Sequence, residues 1–124
     1  MNESPTIPTT ISLDLKKFRI RVFKSALHQI GDPEFIQLLV NPDEMVVAIR
    51  AVDKEHTNDQ THKVGKKMNS KNVEFYSRAF FDRLCTICGE MEKGSTYRLY
   101  GRVYPEQRTL LFSLRTIKRV TESG

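Results

Sequence analysis

The chain has few of the residues that most often carry chemistry: among 124 residues there are two cysteines, three histidines and six glycines. Two cysteines within one predicted helix supply no disulfide framework and suit a reducing compartment. No glycine-rich phosphate loop is present, and no local signature groups a serine, a histidine and an aspartate into a catalytic triad. We therefore expect a protein that is not an enzyme, with no cofactor and no evident small-molecule substrate.

Long apolar runs are also missing. No segment approaches the ~20 apolar residues that cross a bilayer, and the polar start MNESPTIPTT does not resemble a signal peptide. Apolar residues make up 39% of the chain and charged residues 28%, which is typical of a folded globular domain. The composition predicts one cytoplasmic domain that does not enter a membrane.

The sequence does contain one order of elements that occurs twice. Residues 18–50 alternate as a strand, continue as a short helix and end in two apolar runs around Asn41-Pro42-Asp43-Glu44. Residues 73–115 repeat this order, with the last two strands around Pro105-Glu106-Gln107-Arg108. A β-α-β-β unit cannot bury its apolar face alone, so two copies imply a shared core. The predicted fold is α+β, a single domain of two tandem β-α-β-β repeats that share one core.

The boundaries of this domain follow from composition. Proline and polar residues predict a loose tail over residues 1–11, and apolar residues are sparse between the two repeats. The predicted segments are the tail (1–11), repeat one (12–52), a polar linker (53–72) with a short strand near 62–64, and repeat two (73–120). Serine is expected at the N-cap of each helix and glycine at each C-terminal end, namely Ser25 with Gly31 and Ser77 with Gly89.

The string Cys85-Thr86-Ile87-Cys88-Gly89 is the one motif-like feature. A redox pair works from a helix N-terminus, where the helix dipole lowers the thiol pKa, but this pair lies at the C-terminal end of its predicted helix. A zinc site would need His56 and His62 as further ligands, at a longer spacing than is usual. The alternative is two reduced thiols in the core stripe of the helix, and we therefore predict no metal site.

Charge is segregated along the chain, whose formal net charge is +5. Basic residues occupy one face of the first strand, form a run before the second repeat, and alternate with tyrosine on a later strand. Arginine binds phosphate in a forked geometry and tyrosine rings stack on bases, so these positions predict a nucleic-acid-binding surface. The alternative is a solvated sheet face whose long side chains cover apolar neighbours. The predicted binding residues are Lys17, Arg19, Arg21, Lys66, Lys67, Arg98, Tyr100 and Arg102.

The first repeat resembles the swapped-hairpin unit of AbrB/MraZ-type transcription factors. The similarity is carried by a basic strand (KKFRIRVF), a short helix that ends in a hydrophobic residue and glycine (LHQIG), and a hairpin (EFIQLLVNPDEMVVAI). This resemblance implies DNA binding by basic residues such as Lys17, Arg19 and Arg21, usually in an oligomer. The second repeat departs from the pattern because its helix is longer, and in this it is more similar to a sliding-clamp half-domain.

Two functions are consistent with these features. The first is a small DNA-associated or transcription-regulatory protein, a homo-oligomer that binds nucleic acid through a basic sheet face. The second is a protein-interaction module without nucleic-acid contact, either dimeric through its sheet edges or similar to a sliding clamp, whose basic face meets an acidic partner.

Overall fold

The computed structural model describes residues 6–54, 58, 60–65, 70–89 and 91–120. In chain order the elements are β1 (Ile7–Asp14), β2 (Arg19–Phe23), α1 (Lys24–Gln29), β3 (Phe35–Asn41), β4 (Val46–Val52), β5 (Thr61–Lys63), β6 (Asn72–Tyr76), α2 (Arg78–Cys88), β7 (Thr96–Tyr104) and β8 (Thr109–Val120). Within these ranges neither helix has the length and apolar character needed to cross a membrane. Over the described ranges the architecture is mixed, with one large sheet and two α-helices.

All eight strands belong to one antiparallel sheet, in the order β5-β3-β4-β8-β7-β1-β2-β6. The strands at the two ends of this order approach each other. The rings of His62 on β5 and Phe75 on β6 meet edge to face, with centroids 6.1 Å apart. The sheet therefore curls until it is nearly closed, with one face turned inward and the other toward solvent. We call the β5–β6 junction the seam.

Strand alternation fills the interior with apolar side chains. On β7, Leu99 is fully buried while its neighbour Tyr100 is exposed on the outer face, as a period of two requires. The helices contribute to the same interior, because Leu27 of α1 and Phe81 and Leu84 of α2 belong to the cluster that the strands form. A single core therefore spans the N-terminal and C-terminal halves of the chain.

The helix ends confirm one predicted cap and correct another. At the start of α2 the backbone N–H of Phe80 donates to the Ser77 hydroxyl at 3.2 Å, and Gly89 ends the helix with a φ of 76°. The expectation that Ser25 caps α1 is wrong. β2 runs directly into α1, so Phe23 occupies the N-cap position without a side-chain cap and Ser25 already lies in the first turn.

The expectation of a loose tail over residues 1–11 is wrong for residues 7–11. These residues belong to β1, which lies in the sheet between β7 and β2, and its Ile11 and Leu13 are buried. Pro8, which suggested a tail, is tolerated because residues 7–10 pair with β7 alone, whereas pairing with β2 begins at Ile11. The predicted linker does contain its short strand, now β5, paired with β3.

β7 and β8 cross closely at Gly101, which is opposite Phe112. A Cβ at this position would collide with the carbonyl oxygen of Leu111 and the backbone of Phe112. Glycine in a strand often marks such a close backbone approach where a sheet bends. The curvature that nearly closes the sheet thus depends on a missing side chain.

Replacing Gly101 by alanine is expected to destabilise the protein by about 1–3 kcal/mol or more, because the colliding atoms are backbone and cannot rotate away. Urea unfolding measures the change. Gly65→Ala is the matched control, since nothing lies within 4 Å of its Cβ position. Equal stability of the two variants would contradict the close approach of β7 and β8.

The seam should respond to pH. Burial lowers the pKa of His62 below its ordinary value of 6.5. Because the folded pKa is the lower one, protonation favours the unfolded chain, and stability is lost as the pH falls below about 6.5 toward the folded pKa. We expect the decrease in Tm between pH 7.5 and pH 5 to be smaller in His62→Gln than in the wild type. His28→Gln, which removes only an exposed pairing with Asp32 on the surface of α1, should change the decrease little; an unchanged decrease in His62→Gln would contradict the burial of His62 at the seam.

Candidate nucleic-acid interface

The outer face of β2, β1 and β7 brings together predicted residues from both halves of the chain. Ser12 of β1 is opposite Arg21 of β2 on one side and opposite Arg98 of β7 on the other. Neighbouring strands lie about 4.8 Å apart, so the backbones of the two arginines are separated by about 10 Å. Lys118 of β8 continues the row on the far side of Arg98. We call Arg21, Arg98 and Lys118 the basic row.

The two arginines of β2 are partly neutralised by carboxylates. Arg19 pairs with Asp14 at 2.9 Å and with Glu74 at 3.3 Å, and Arg21 pairs with Glu74 at 2.8 Å. The side chain of Arg19 is 19% exposed, against 41% for Arg21. Burial by itself would lower the pKa of Arg19, but a hydrogen bond with Tyr76 and the two carboxylates raise it overall. Arg19 therefore joins β1, β2 and β6 more than it faces solvent.

The basic side chains of Arg98 and Arg102 on β7 and of Lys118 on β8 form no ion pair with a described carboxylate. The side chain of Arg98 is exposed and makes no hydrogen bond or ion pair with any residue that the structure describes. Lys118 places its Nζ 5.8 Å from the centroid of the Tyr100 ring, a cation–π contact. Arg102 donates from Nε to the Thr6 hydroxyl at 2.6 Å and from a terminal nitrogen to the Thr6 carbonyl at 3.2 Å. Positive charge is therefore most available around Arg98.

The remaining predicted lysines do not extend this group. Lys17 is exposed in the turn between β1 and β2, where its backbone N–H donates to Asp14 at 3.3 Å. Lys66 and Lys67 lie outside the residues that the structure describes. Of the predicted set, the outer sheet face thus unites Arg19, Arg21, Arg98, Tyr100 and Arg102.

An irregularity in β8 shapes the surface beside Tyr100. The pairing steps from Tyr100 opposite Ser113 to Arg98 opposite Lys118, so a step of two residues on β7 is matched by a step of five on β8. The Thr116 hydroxyl replaces a ladder partner by accepting from the backbone N–H of Tyr100 at 3.0 Å. Such bulges re-aim side chains and are frequent near binding sites. Here the bulge brings Lys118 beside the Tyr100 ring.

A cleft of about 530 Å³ lies next to this bulge, and its lining includes Phe23, Tyr100 and Arg102. Phe23 is 45% exposed and Tyr100 is 39% exposed, both on the outer face. Sequence reasoning missed Phe23, although it continues the outward alternation of Arg19 and Arg21 on β2. It also missed Lys118, because only the bulge turns that residue toward β7.

The cysteine pair lies away from this face. Cys85 and Cys88 are half-buried on α2 against the core, and burial, together with the neighbouring Cys85, raises the pKa of Cys88. His62 packs on Phe75 at the seam, and His56 lies outside the described residues. Across the described ranges no three potential metal ligands gather. The arrangement fits thiols that pack in a helical stripe.

Comparisons with protein-family models, curated protein sequences and solved structures found no match for this chain. The resemblances to AbrB/MraZ-type factors and to sliding clamps stay predictions.

Proposed function

We propose that this protein binds nucleic acid through the outer face of β2, β1 and β7, as a small DNA-associated or transcription-regulatory protein. The observation that carries the proposal is the basic row, in which Arg98 is exposed and unengaged among the described residues while Lys118 and Arg21 flank it. A phosphate backbone that crosses the strands along this row would meet one basic side chain on each of β8, β7 and β2. Forked guanidinium groups suit that contact.

The surrounding charge supports an anionic partner. The chain carries a net charge of +5, and the carboxylates on this face, Asp14 and Glu74, are already paired with Arg19 and Arg21. A positive field of this kind steers polyanions toward the surface and weakens with added salt. The Tyr100 ring, which lies beside the row in contact with Lys118, adds a stacking surface that phosphate binding alone does not need.

The second candidate is a protein-interaction module whose basic face meets an acidic protein. The seam bears on how such a module would dimerise. Because β5 and β6 approach each other through His62 and Phe75, the two sheet edges are less open to a second copy than the edges of a flat sheet. This favours the sheet face over the sheet edge as the contact surface, for a nucleic acid and for a protein alike.

We also propose that the domain consists of two copies of one unit, which is one strand longer than the β-α-β-β pattern. The order β-β-α-β-β occurs as β1–β4 with α1 and again as β5–β8 with α2. The hairpins support this assignment: both turns begin with proline, Pro42 and Pro105, and both end in a residue with positive φ, Met45 at 55° and Arg108 at 50°. Both hairpins close in the same register.

The ladders between the two units support a two-fold relation. Arg21 and Glu74 form the central pair of the β2–β6 ladder, and each lies two residues before the end of the strand that leads into its helix. Ala48 and Leu111 are the central pair of the β4–β8 ladder. A two-fold axis through both pairs would exchange the units, and it would also exchange β1, beside β7, with β5, beside β3.

Two units that share one core should not fold separately. Residues 1–57 and 58–124, co-expressed as two chains with a tag on one, are expected to purify together at a 1:1 ratio, because each alone would expose its half of the core. Size-exclusion chromatography of the pair and of each fragment alone measures this. A stable monomer formed by either fragment alone would contradict the shared core.

Binding to duplex DNA should weaken log-linearly with salt, and each lost phosphate contact should flatten the slope by about 0.9. Arg98→Gln and Lys118→Gln are each expected to flatten the slope by about this amount. Arg21→Gln should do less, because Glu74 already neutralises that guanidinium. Fluorescence anisotropy across a salt series measures the slopes.

The control for net charge is Arg83→Gln, at an exposed position on α2 and therefore not on the sheet face. It should leave the slope unchanged. If Arg83→Gln and Arg98→Gln had the same effect, the sheet face would not be the binding surface. If the wild type bound neither duplex nor single strand at low salt, the protein-interaction function would take precedence.

A further inference from the structure

Two exposed aromatic rings lie at one cleft of the outer face. Tyr100 is opposite Thr10 in the β1–β7 ladder, and Phe23 follows Val22, which pairs with Ile11 on the other side of β1. The rings therefore flank Thr10 from strands that are two positions apart, with backbones about 10 Å from each other. Both rings line the same cleft of about 530 Å³.

The lining of this cleft is mainly apolar, and its polar members suit nucleic acid. Ser25, Gln29 and Thr10 present hydroxyl and amide groups, and Arg102 supplies a positive charge. No aspartate or glutamate is among the described residues that line it. Arg98 and Lys118 lie one step beyond Tyr100 on the same face. The cleft thus combines apolar ring faces, hydrogen-bonding groups and an excess of positive charge.

We propose that this cleft is a base-binding site for single-stranded nucleic acid, in which Phe23 and Tyr100 stack unpaired bases and Arg98 and Arg102 hold the adjoining phosphates. The inference rests on the proposed function and goes beyond it, since it names the form of nucleic acid and assigns a role to Phe23. Base–aromatic stacking tolerates any sequence, because every base has a π-face. The site therefore distinguishes single-stranded from double-stranded nucleic acid and does not distinguish one sequence from another.

A duplex cannot use these rings in the same way. In a duplex both faces of each base are covered by neighbouring base pairs, so only the phosphates remain for the basic row. A single strand can turn a base into the cleft and keep its phosphates on the arginines. The positive charge of Arg102 in the lining, with Arg98 and Lys118 nearby, also favours an anionic occupant over an uncharged apolar peptide.

The test measures fluorescence anisotropy with a labelled 12-nucleotide single strand and with the duplex of the same sequence, at one low salt concentration. Phe23→Ala and Tyr100→Ala are each expected to weaken single-strand binding about tenfold or more. Duplex binding should change by less than about twofold, because no phosphate contact is removed. Tyr100→Phe, which keeps the ring face, should retain near-normal affinity.

Tyr76→Ala is the matched control, since Tyr76 is an aromatic residue of β6 that is 56% exposed and does not line this cleft. It should leave single-strand binding unchanged. A poly-glutamate peptide of equal charge should compete weakly, because it brings charge without rings. Thermal melts of all variants establish that each is folded before its affinity is compared.

The outcomes separate this inference from the function it rests on. The site is supported if Phe23→Ala and Tyr100→Ala lose single-strand affinity and Tyr76→Ala does not. If the wild type binds both nucleic acids, and Phe23→Ala and Tyr100→Ala weaken single-strand and duplex binding equally or weaken neither, the base-binding site is overturned. The proposed nucleic-acid function would still stand. Equal competition by poly-glutamate also overturns it. Absence of all binding by the wild type overturns both.

Discussion

The pairing of β1 along both of its edges is the constraint on which the rest of this structure depends. β1 joins the β2–β6 side of the sheet to the β7–β8 side, and its Ile11 and Leu13 fill the interior between them. β1 lies between β2 and β7 and pairs with both, so it holds the strands that carry Arg21 and Arg98 two positions apart in one sheet. The placement of the candidate surface is therefore a consequence of the fold's central connection.

Electrostatics divides the outer face into two functions. On β2 the carboxylates Asp14 and Glu74 pair with Arg19 and Arg21, so these arginines help to hold three strands together at modest gain, as partly exposed ion pairs do. On β7 no described carboxylate approaches Arg98. A cation that contributes little to stability and stays exposed is free to interact with a ligand. The ion pairs of β2 help to stabilise the domain, whereas the Arg98 side chain of β7 has no ion pair among the described residues.

Sequence reasoning predicted what depends on local periodicity and on turn chemistry. The β3–β4 hairpin, the Ser77 cap of α2, the inward positions of β7 and the short strand β5 all follow from patterns within a few residues. It failed for β1, because Pro8 is acceptable only where a strand has one neighbour, and the neighbours of a strand are a tertiary property. The ion pairs of Arg19 and Arg21 with Glu74 were missed for the same reason, since Glu74 follows Arg21 by 53 positions along the chain. The bulge in β8 has no local sequence signal that we can identify.

The exposed rings of Phe23 and Tyr100 relate the alternation of the strands to the properties of the outer face. Each ring lies on the outer face because its strand alternates, and each keeps its inward neighbours, Val22 and Leu99, buried in the core. Both side chains are only partly exposed, so each forgoes a part of the ~1.5–3 kcal/mol that full burial of such a side chain would give. Two such rings line one cleft, beside a bulge that turns Lys118 toward one of them, and this arrangement is what the proposed base-binding site depends on. The features of this face that do not stabilise the fold are the ones that a polyanion with exposed bases would use.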